Sequence, residues 1–228
     1  MAGAGCLELR RISEAEVPLA QAEQSRFVLF REGDGLDEHV AVLIGQPMDW
    51  PDPLPVRLHS SCLTGDIFGS LRCDCGEQLH RSVGTIREMG GGVLLYLAQE
   101  GRGIGLANKL RAYTRQDAGL DTVAANHALG FPDDQRDFTI AAELLRQLDI
   151  YRIVLLTNIR ASAMHSPGPV SRWPDSCRFS APSTRSMSAT WPPKPSDRGI
   201  YSTIFCGAKT SHDVPQRQFT SWSGGHIW

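Results

Sequence analysis

The last third of the chain is poorly equipped to build a core of the ordinary kind. Residues 159–228 contain no Leu and no Glu, and they hold 13 Ser, 8 Pro and four of the five Trp. Natural cores lean on Leu and helix surfaces on Glu. Prolines and serines interrupt regular structure wherever they fall. Charge changes with composition: residues 1–158 carry a formal charge of −7 and residues 159–228 one of +5. A folded domain is therefore expected in 1–158, with 159–228 as an atypical, poorly ordered tail. Three readings of that tail stand: a disordered appendage, a small binding module, or the product of a shifted reading frame. Scattered Trp and Phe fit the first badly, and the junction falls inside a motif, which favours the third.

Within residues 1–158 the apolar pattern switches between two periods. Residues 26–32 and 39–45 read as strands joined by the polar hairpin Gly33-Asp-Gly-Leu-Asp-Glu38. Residues 55–59, 93–97 and 153–156 read as further strands. Leu79, Val83 and Ile86 share a face of a helix over 77–89, which Gly90-Gly-Gly92 stops. Leu106, Leu110 and Tyr113 suggest a second helix over 104–117. Ile140, Leu144 and Leu148 suggest a third over 138–148, capped by Asp137. Strands alternating with helices predict a layered α/β domain, and the early hairpin makes its sheet mixed.

Composition excludes several classes. The formal net charge of −2 argues against a general nucleic-acid binder. The longest apolar run, about Val93 to Ala98, is too short to span a bilayer. Residues 1–8 show no basic segment followed by an apolar one, so neither export nor a membrane is expected and the cytoplasm is. Six cysteines in such a chain suggest reduced thiols or metal ligands rather than a disulfide framework.

Three segments carry chemistry. The first is Cys62-x10-Cys73-x-Cys75. Thiolates are good zinc ligands, and three protein ligands leave a fourth position for water. Three buried core cysteines are the alternative, but Cys62 and Cys75 sit among polar residues and glycines rather than aliphatics. A disulfide closing the single residue between Cys73 and Cys75 would be badly strained. Cys6, Cys177 and Cys206 have no partner spacing. The second segment is Gln99-Glu-Gly-Arg-Gly-Ile-Gly105, between a strand and a helix. It fits an anion-approaching loop or simply a tight turn. The third, Asp133-Asp-Gln-Arg-Asp137, suits acid–base or phosphate work, or a solvated cap.

Taken together, these segments resemble GTP cyclohydrolase II. The residues that carry the likeness are Arg57-Leu-His-Ser-Ser-Cys-Leu-Thr-Gly-Asp66, Ser70-Leu-Arg-Cys-Asp-Cys-Gly76 and Gln99-Glu-Gly-Arg-Gly-Ile-Gly-Leu-Ala-Asn-Lys109. It continues through Leu110-Arg-Ala-Tyr113, Asp121-Thr-Val-Ala-Ala-Asn-His127 and Leu129-Gly-Phe-Pro-Asp-Asp-Gln-Arg-Asp-Phe138. The likeness runs from about residue 25 to Asn158 and implies a layered α/β/α fold and a homodimer. It implies that GTP and water give formate, pyrophosphate and 2,5-diamino-6-(5-phosphoribosylamino)pyrimidin-4-one, the committed step of riboflavin biosynthesis. By resemblance, Cys62, Cys73 and Cys75 hold a zinc ion. Arg136 attacks the α-phosphorus, Asp134 accepts the proton, and Tyr113 completes ring opening and deformylation. The nucleotide contacts are Arg57, Leu58, His59, Ser60, Ser61, Gln78, Glu100, Gly101, Arg102, Thr122 and Thr157. Magnesium accompanies the triphosphate.

The sequence departs from the family in two places. Ser61 stands where many members have Glu. After Thr157-Asn158 the family's Asn-Pro and a nucleotide-contacting lysine are missing, and the next lysine is Lys194. Loss of the final strand is expected to open a sheet edge. No fused synthase domain for the four-carbon riboflavin precursor is expected in the few residues before the likeness begins. A zinc-binding but impaired relic is the alternative function. A nucleobase deaminase is set aside, because its H-x-E and P-C-x-x-C pattern is absent.

Overall fold

In strand β5, Gly92–Leu97, successive side chains turn to opposite sides and both sides are buried. Val93, Leu95 and Leu97 enter one apolar cluster, while Leu94 and Tyr96 join another. Such a strand must be central and covered on both faces. A computed structural model describes residues 8–157 together with the backbone of two further strands, 177–180 and 200–206. The other strands are β1 (Leu9–Glu16), β2 (Ser25–Glu32), β3 (Glu38–Ile44), β4 (Leu54–Ser60), β6 (Arg152–Thr157), β7 (Cys177–Ser180) and β8 (Ile200–Cys206). They form one sheet in the order β1-β2-β3-β5-β4-β6-β8-β7.

The sheet is mixed, as the hairpin implied. β4 runs parallel to β5 and β6, and the β1–β2–β3 meander meets β5 antiparallel. Helices cover both faces. Helix α2 (Cys75–Glu88) lays Val83 and Ile86 on the side of Val42, Ile44, Leu94 and Leu156. Helix α5 (Thr139–Gln147) lays Ile140, Ala141, Leu144 and Leu145 on the side of Val28, Phe30, Val56, Leu95 and Ile153. This is the expected three-layer α/β/α arrangement. Each fully buried leucine contributes about 1.5–3 kcal/mol relative to exposure. Helix α2 ends as its glycines predict: Gly91 N–H reaches Ile86 C=O and Gly90 N–H reaches Arg87 C=O, both at 3.0 Å.

Five expectations change. The edge strand β1 was not foreseen: past Leu9 all its residues are exposed and several are charged, so no alternation marks it. The short helices α1 (Leu63–Asp66) and α4 (Thr122–Ala128) also escaped. Helix α3 (Gly105–Asp117) exists, but its buried residue is Ala112, and Leu110 is 48% exposed. Asp137 sits one residue before the α5 cap, and its carboxylate accepts from Thr139 N–H at 2.8 Å. The β6 edge, expected to be open, is paired antiparallel with β8, and β8 with β7. The rest of the tail lies outside the described residues. Among the described residues, no helix is long and apolar enough to cross a membrane.

Candidate active site

β4, β5 and β6 are parallel, so their C-terminal ends share one edge of the sheet, where α/β folds commonly place ligands. β4 pairing continues past its end, with Ser61 N–H donating to Leu97 C=O at 2.8 Å. The chain then passes through Cys62 and α1, loops out, and returns to Cys73 and the first residue of α2, Cys75. The three Sγ atoms lie within 4.8 Å of one another, with Cys62 and Cys73 at 3.6 Å and all three thiols free. Among the described residues this is the one cluster of His, Cys, Asp or Glu side chains able to hold a metal ion. Two of the three are only half-buried, unlike core cysteines.

Gly65 makes the convergence possible. A Cβ there would stand 2.7 Å from Cys73 Sγ and 3.1 Å from Cys62 Sγ, and one on Gly76 would meet Gly65 C=O at 2.4 Å. Gly65→Ala is therefore expected to lower the cluster's affinity for a metal ion at least about tenfold, the scale of losses when a ligand's support is disturbed. Titration against a chromophoric chelator checks it, and wild-type affinity in that variant would refute the cradle.

Charge is arranged around the sulfurs. Lys109 Nζ donates to Cys62 Sγ at 2.9 Å and to Glu100 Oε1 at 2.7 Å, and Glu100 Oε2 accepts from Leu63 N–H at 2.7 Å. Burial pushes the Cys62 thiol up, but Lys109, the Gly65 N–H and the Thr64 hydroxyl outweigh it, leaving it below its ordinary value. Burial, with the neighbouring Cys62 and Cys73 sulfurs, pushes Cys75 well above its own. Thiolates crowded in this way repel one another, and a bound dication relieves that repulsion. Donor chemistry, spacing and cradle thus fit a metal ion.

Beneath Cys62 lies a second buried group. Asp66 accepts from Cys62 N–H at 2.9 Å, Tyr96 O–H at 2.8 Å and His59 Nε2 at 3.0 Å. The His59 and Tyr96 rings stack with centroids 5.5 Å apart. Burial lowers the His59 pKa despite Asp66, and burial with Asp66 raises that of Tyr96. Arg57 donates to Gln78 Oε1 at 2.6 Å and to Leu156 C=O at 3.1 Å. Leu58 points the other way, into the α5-side core. Arg57 Nε, Ser60 Oγ and Gln99 Oε1 are buried and lack a hydrogen-bond partner among the described residues.

The remaining expected residues come from the loops after β5 and before α5. Glu100–Gly103 forms a 3-10 turn in which Gly101 and Arg102 have φ of 63° and 61°, a left-handed conformation unusual for arginine. Arg102 C=O accepts from Gln135 N–H at 3.0 Å, tying this turn to the Asp134–Arg136 segment. Asp134, 5% exposed, accepts from Arg136 Nε at 2.9 Å and Nη2 at 2.5 Å. Tyr113 lies beneath Arg72, whose guanidinium carbon is 4.9 Å from the ring centroid, with Lys109 Nζ at 6.0 Å. Thr122 is exposed in the first turn of α4, its hydroxyl accepting from Gln116 at 3.2 Å. Thr157 ends β6, and Asn158 lies outside the described residues.

Sequence reasoning assigned no role to Asp66, Tyr96, Lys109 or Arg72. Asp66 and Lys109 lay in the quoted motifs, and a buried-type strand with one tyrosine marked Tyr96.

A profile of the GTP cyclohydrolase II family matches residues 10–167, most of the chain. The chain belongs to this family. The family match begins earlier than the motifs suggested, taking in β1, and passes beyond Asn158. GTP cyclohydrolase-2 of Azospirillum brasilense is 55% identical over 150 residues, 66% of this chain and 39% of that protein. GTP cyclohydrolase-2 of Xylella fastidiosa strain 9a5c is 53% identical over 157 residues, 69% of this chain and 39% of its own. Riboflavin biosynthesis protein RibBA of Bacillus cytotoxicus is 57% identical over 121 residues, 53% of this chain and 30% of its own. The chain thus spans at most about two fifths of these relatives.

Proposed function

We propose that this chain hydrolyses GTP to formate, pyrophosphate and the diaminopyrimidinone ribosyl phosphate, as the committed step of riboflavin biosynthesis. The observation that carries this reading is the three-cysteine cluster at the ends of parallel strands, joined through the Glu100–Gly103 turn to the Asp134–Arg136 pair. Cys62, Cys73 and Cys75 hold zinc, which when bound supplies Lewis-acid activation of water for opening the guanine ring and removing the formyl group.

The chain's own residues do the rest. A guanidinium nitrogen of Arg136 attacks the α-phosphorus, the bond to the β-phosphate oxygen breaks and pyrophosphate leaves; water then cleaves the phosphorus–nitrogen bond, freeing the nucleotide product and Arg136. Asp134, already hydrogen-bonded to Arg136 Nε and Nη2, takes the proton that the nitrogen loses. Arg57, Ser60, Ser61, Gln78, Gly101, Arg102, Thr122 and Thr157 contact the nucleotide, and magnesium accompanies the triphosphate. The orphaned polar atoms of Arg57, Ser60 and Gln99 support a polar ligand, since buried donors and acceptors are costly to leave unpaired. Glu100 holds Leu63 and Lys109, and Tyr113 completes deformylation. The enzyme is a cytoplasmic homodimer, a setting that free thiols suit.

A second reading, a zinc-binding but impaired relic, is favoured by the missing lysine after Asn158. Residues 1–158 are the catalytic domain and 159–228 an atypical tail that a shifted reading frame produced, although the family match runs on to residue 167. Resequencing the coding region tests the shift, and an intact frame would refute it. Full-length protein with GTP, magnesium and zinc is expected to release formate and pyrophosphate in equal amounts. Release of neither by zinc-loaded protein would overturn the active reading and leave the relic.

A further inference from the structure

We propose that Asp66, backed by Tyr96 and His59, fixes the Cys62 peptide for metal binding, so that His59 serves the site as a positioning residue rather than by touching the nucleotide. This rests on reading the cysteine cluster as a metal site. Asp66 closes the four-residue helix that Cys62 opens, and it holds Cys62 on both sides. Its carboxylate accepts the Cys62 N–H at 2.9 Å, and its own N–H donates to the Cys62 C=O at 2.7 Å. Cys62 is thereby set at φ −142° and ψ 83°, outside the helical region. The sulfur is left facing Cys73 and Lys109.

The carboxylate is itself over-determined. Besides Cys62 N–H it receives Tyr96 O–H from β5 and His59 Nε2–H from β4, at 2.8 and 3.0 Å. The side chains of Asp66 and His59 are 3% and 4% exposed. Burying a carboxylate is costly unless several donors satisfy it. An apolar residue would fill this space more cheaply but could not hold a peptide N–H. The arrangement is therefore explained by what it holds, and that is the first cysteine of the cluster. His59 Nε2 lies 3.0 and 3.2 Å from the two carboxylate oxygens of Asp66. His59 commits that nitrogen to Asp66 and stacks its face on Tyr96, which leaves its role internal although its segment borders the nucleotide.

The test uses the full chain, with zinc affinity measured against a chelator and cobalt(II) absorption reporting the sulfur environment. Asp66→Ala is expected to weaken zinc binding about 10–100-fold and to alter the cobalt bands. Asp66→Asn keeps one acceptor and restores part of the loss. Tyr96→Phe removes one of three donors and shows a smaller loss. In His59→Gln the loss falls on zinc affinity and kcat rather than on KM for GTP. Should Asp66→Ala fail to fold, Asp66→Asn and Tyr96→Phe carry the test. Wild-type zinc affinity in both of these, or a His59→Gln variant altered only in KM, overturns the proposal while leaving the metal reading intact. A wild-type chain that binds no zinc takes down both.

Discussion

Cys75→Ala protein is expected to lose its metal and, with it, formate release. The three sulfurs lie within 4.8 Å of one another, and no other cluster among the described residues offers a replacement ligand. Two thiolates cannot close the three-ligand arrangement of a catalytic site. The loss should exceed about 100-fold, beyond what removing a ligand's supporting partner causes. The fold should survive. Cys75 is half-buried at the first turn of α2, whereas Val83 and Ile86, further along, carry that helix's packing on the sheet. Stoichiometric zinc by chelator titration, formate and pyrophosphate are measured together, with circular dichroism as the check on folding. Zinc retained at one per chain, with formate release within tenfold of wild type, would sink the assignment of Cys75 as a ligand. Pyrophosphate release should outlast formate release here, because Arg136 and Asp134 belong to a different loop.

What was legible in the sequence and what was not follow from the same physics. The central strands were plain because both of their faces are buried, so 93–97 reads as an unbroken apolar run. β1 was not, because an exposed edge strand has no inward face to write an alternation. In α3 the helical spacing of Leu106, Leu110 and Tyr113 suggested a core face. The helix instead lays Lys109 toward the cysteines and Tyr113 beneath Arg72, and its apolar burial reduces to Ala112. Among the site residues, the cysteines were readable from type and spacing because side chains do the work. Asp66 was not, since its work is done on a backbone N–H, which no residue type advertises. Leu58 shows the converse: it lies within a motif, yet strand alternation turns its side chain into the core, between Arg57 and His59 on the other face.

Arg136→Ala is expected to abolish release of both products while leaving zinc in place. Arg136 lies in the loop before α5, and its guanidinium is clamped by Asp134 through Nε and Nη2 and packs 5.4 Å from the Phe138 ring centroid. That clamp aims the group and leaves a base on it, so the reading asks this residue to open the phosphate chemistry. Arg136→Lys keeps the charge but loses the planar fork, and it should recover little. Asp134→Asn should impair the same step, for it removes the proton acceptor and the charge that orients the guanidinium. None of the three changes touches a cysteine, so zinc stoichiometry should match wild type. The pairing with Cys75→Ala is what gives the result its force. If the two halves of the site act in sequence, the cysteine variant releases pyrophosphate without formate, and the arginine variant releases neither. Arg136→Ala protein that still released pyrophosphate near the wild-type rate would place the phosphate chemistry elsewhere in the chain.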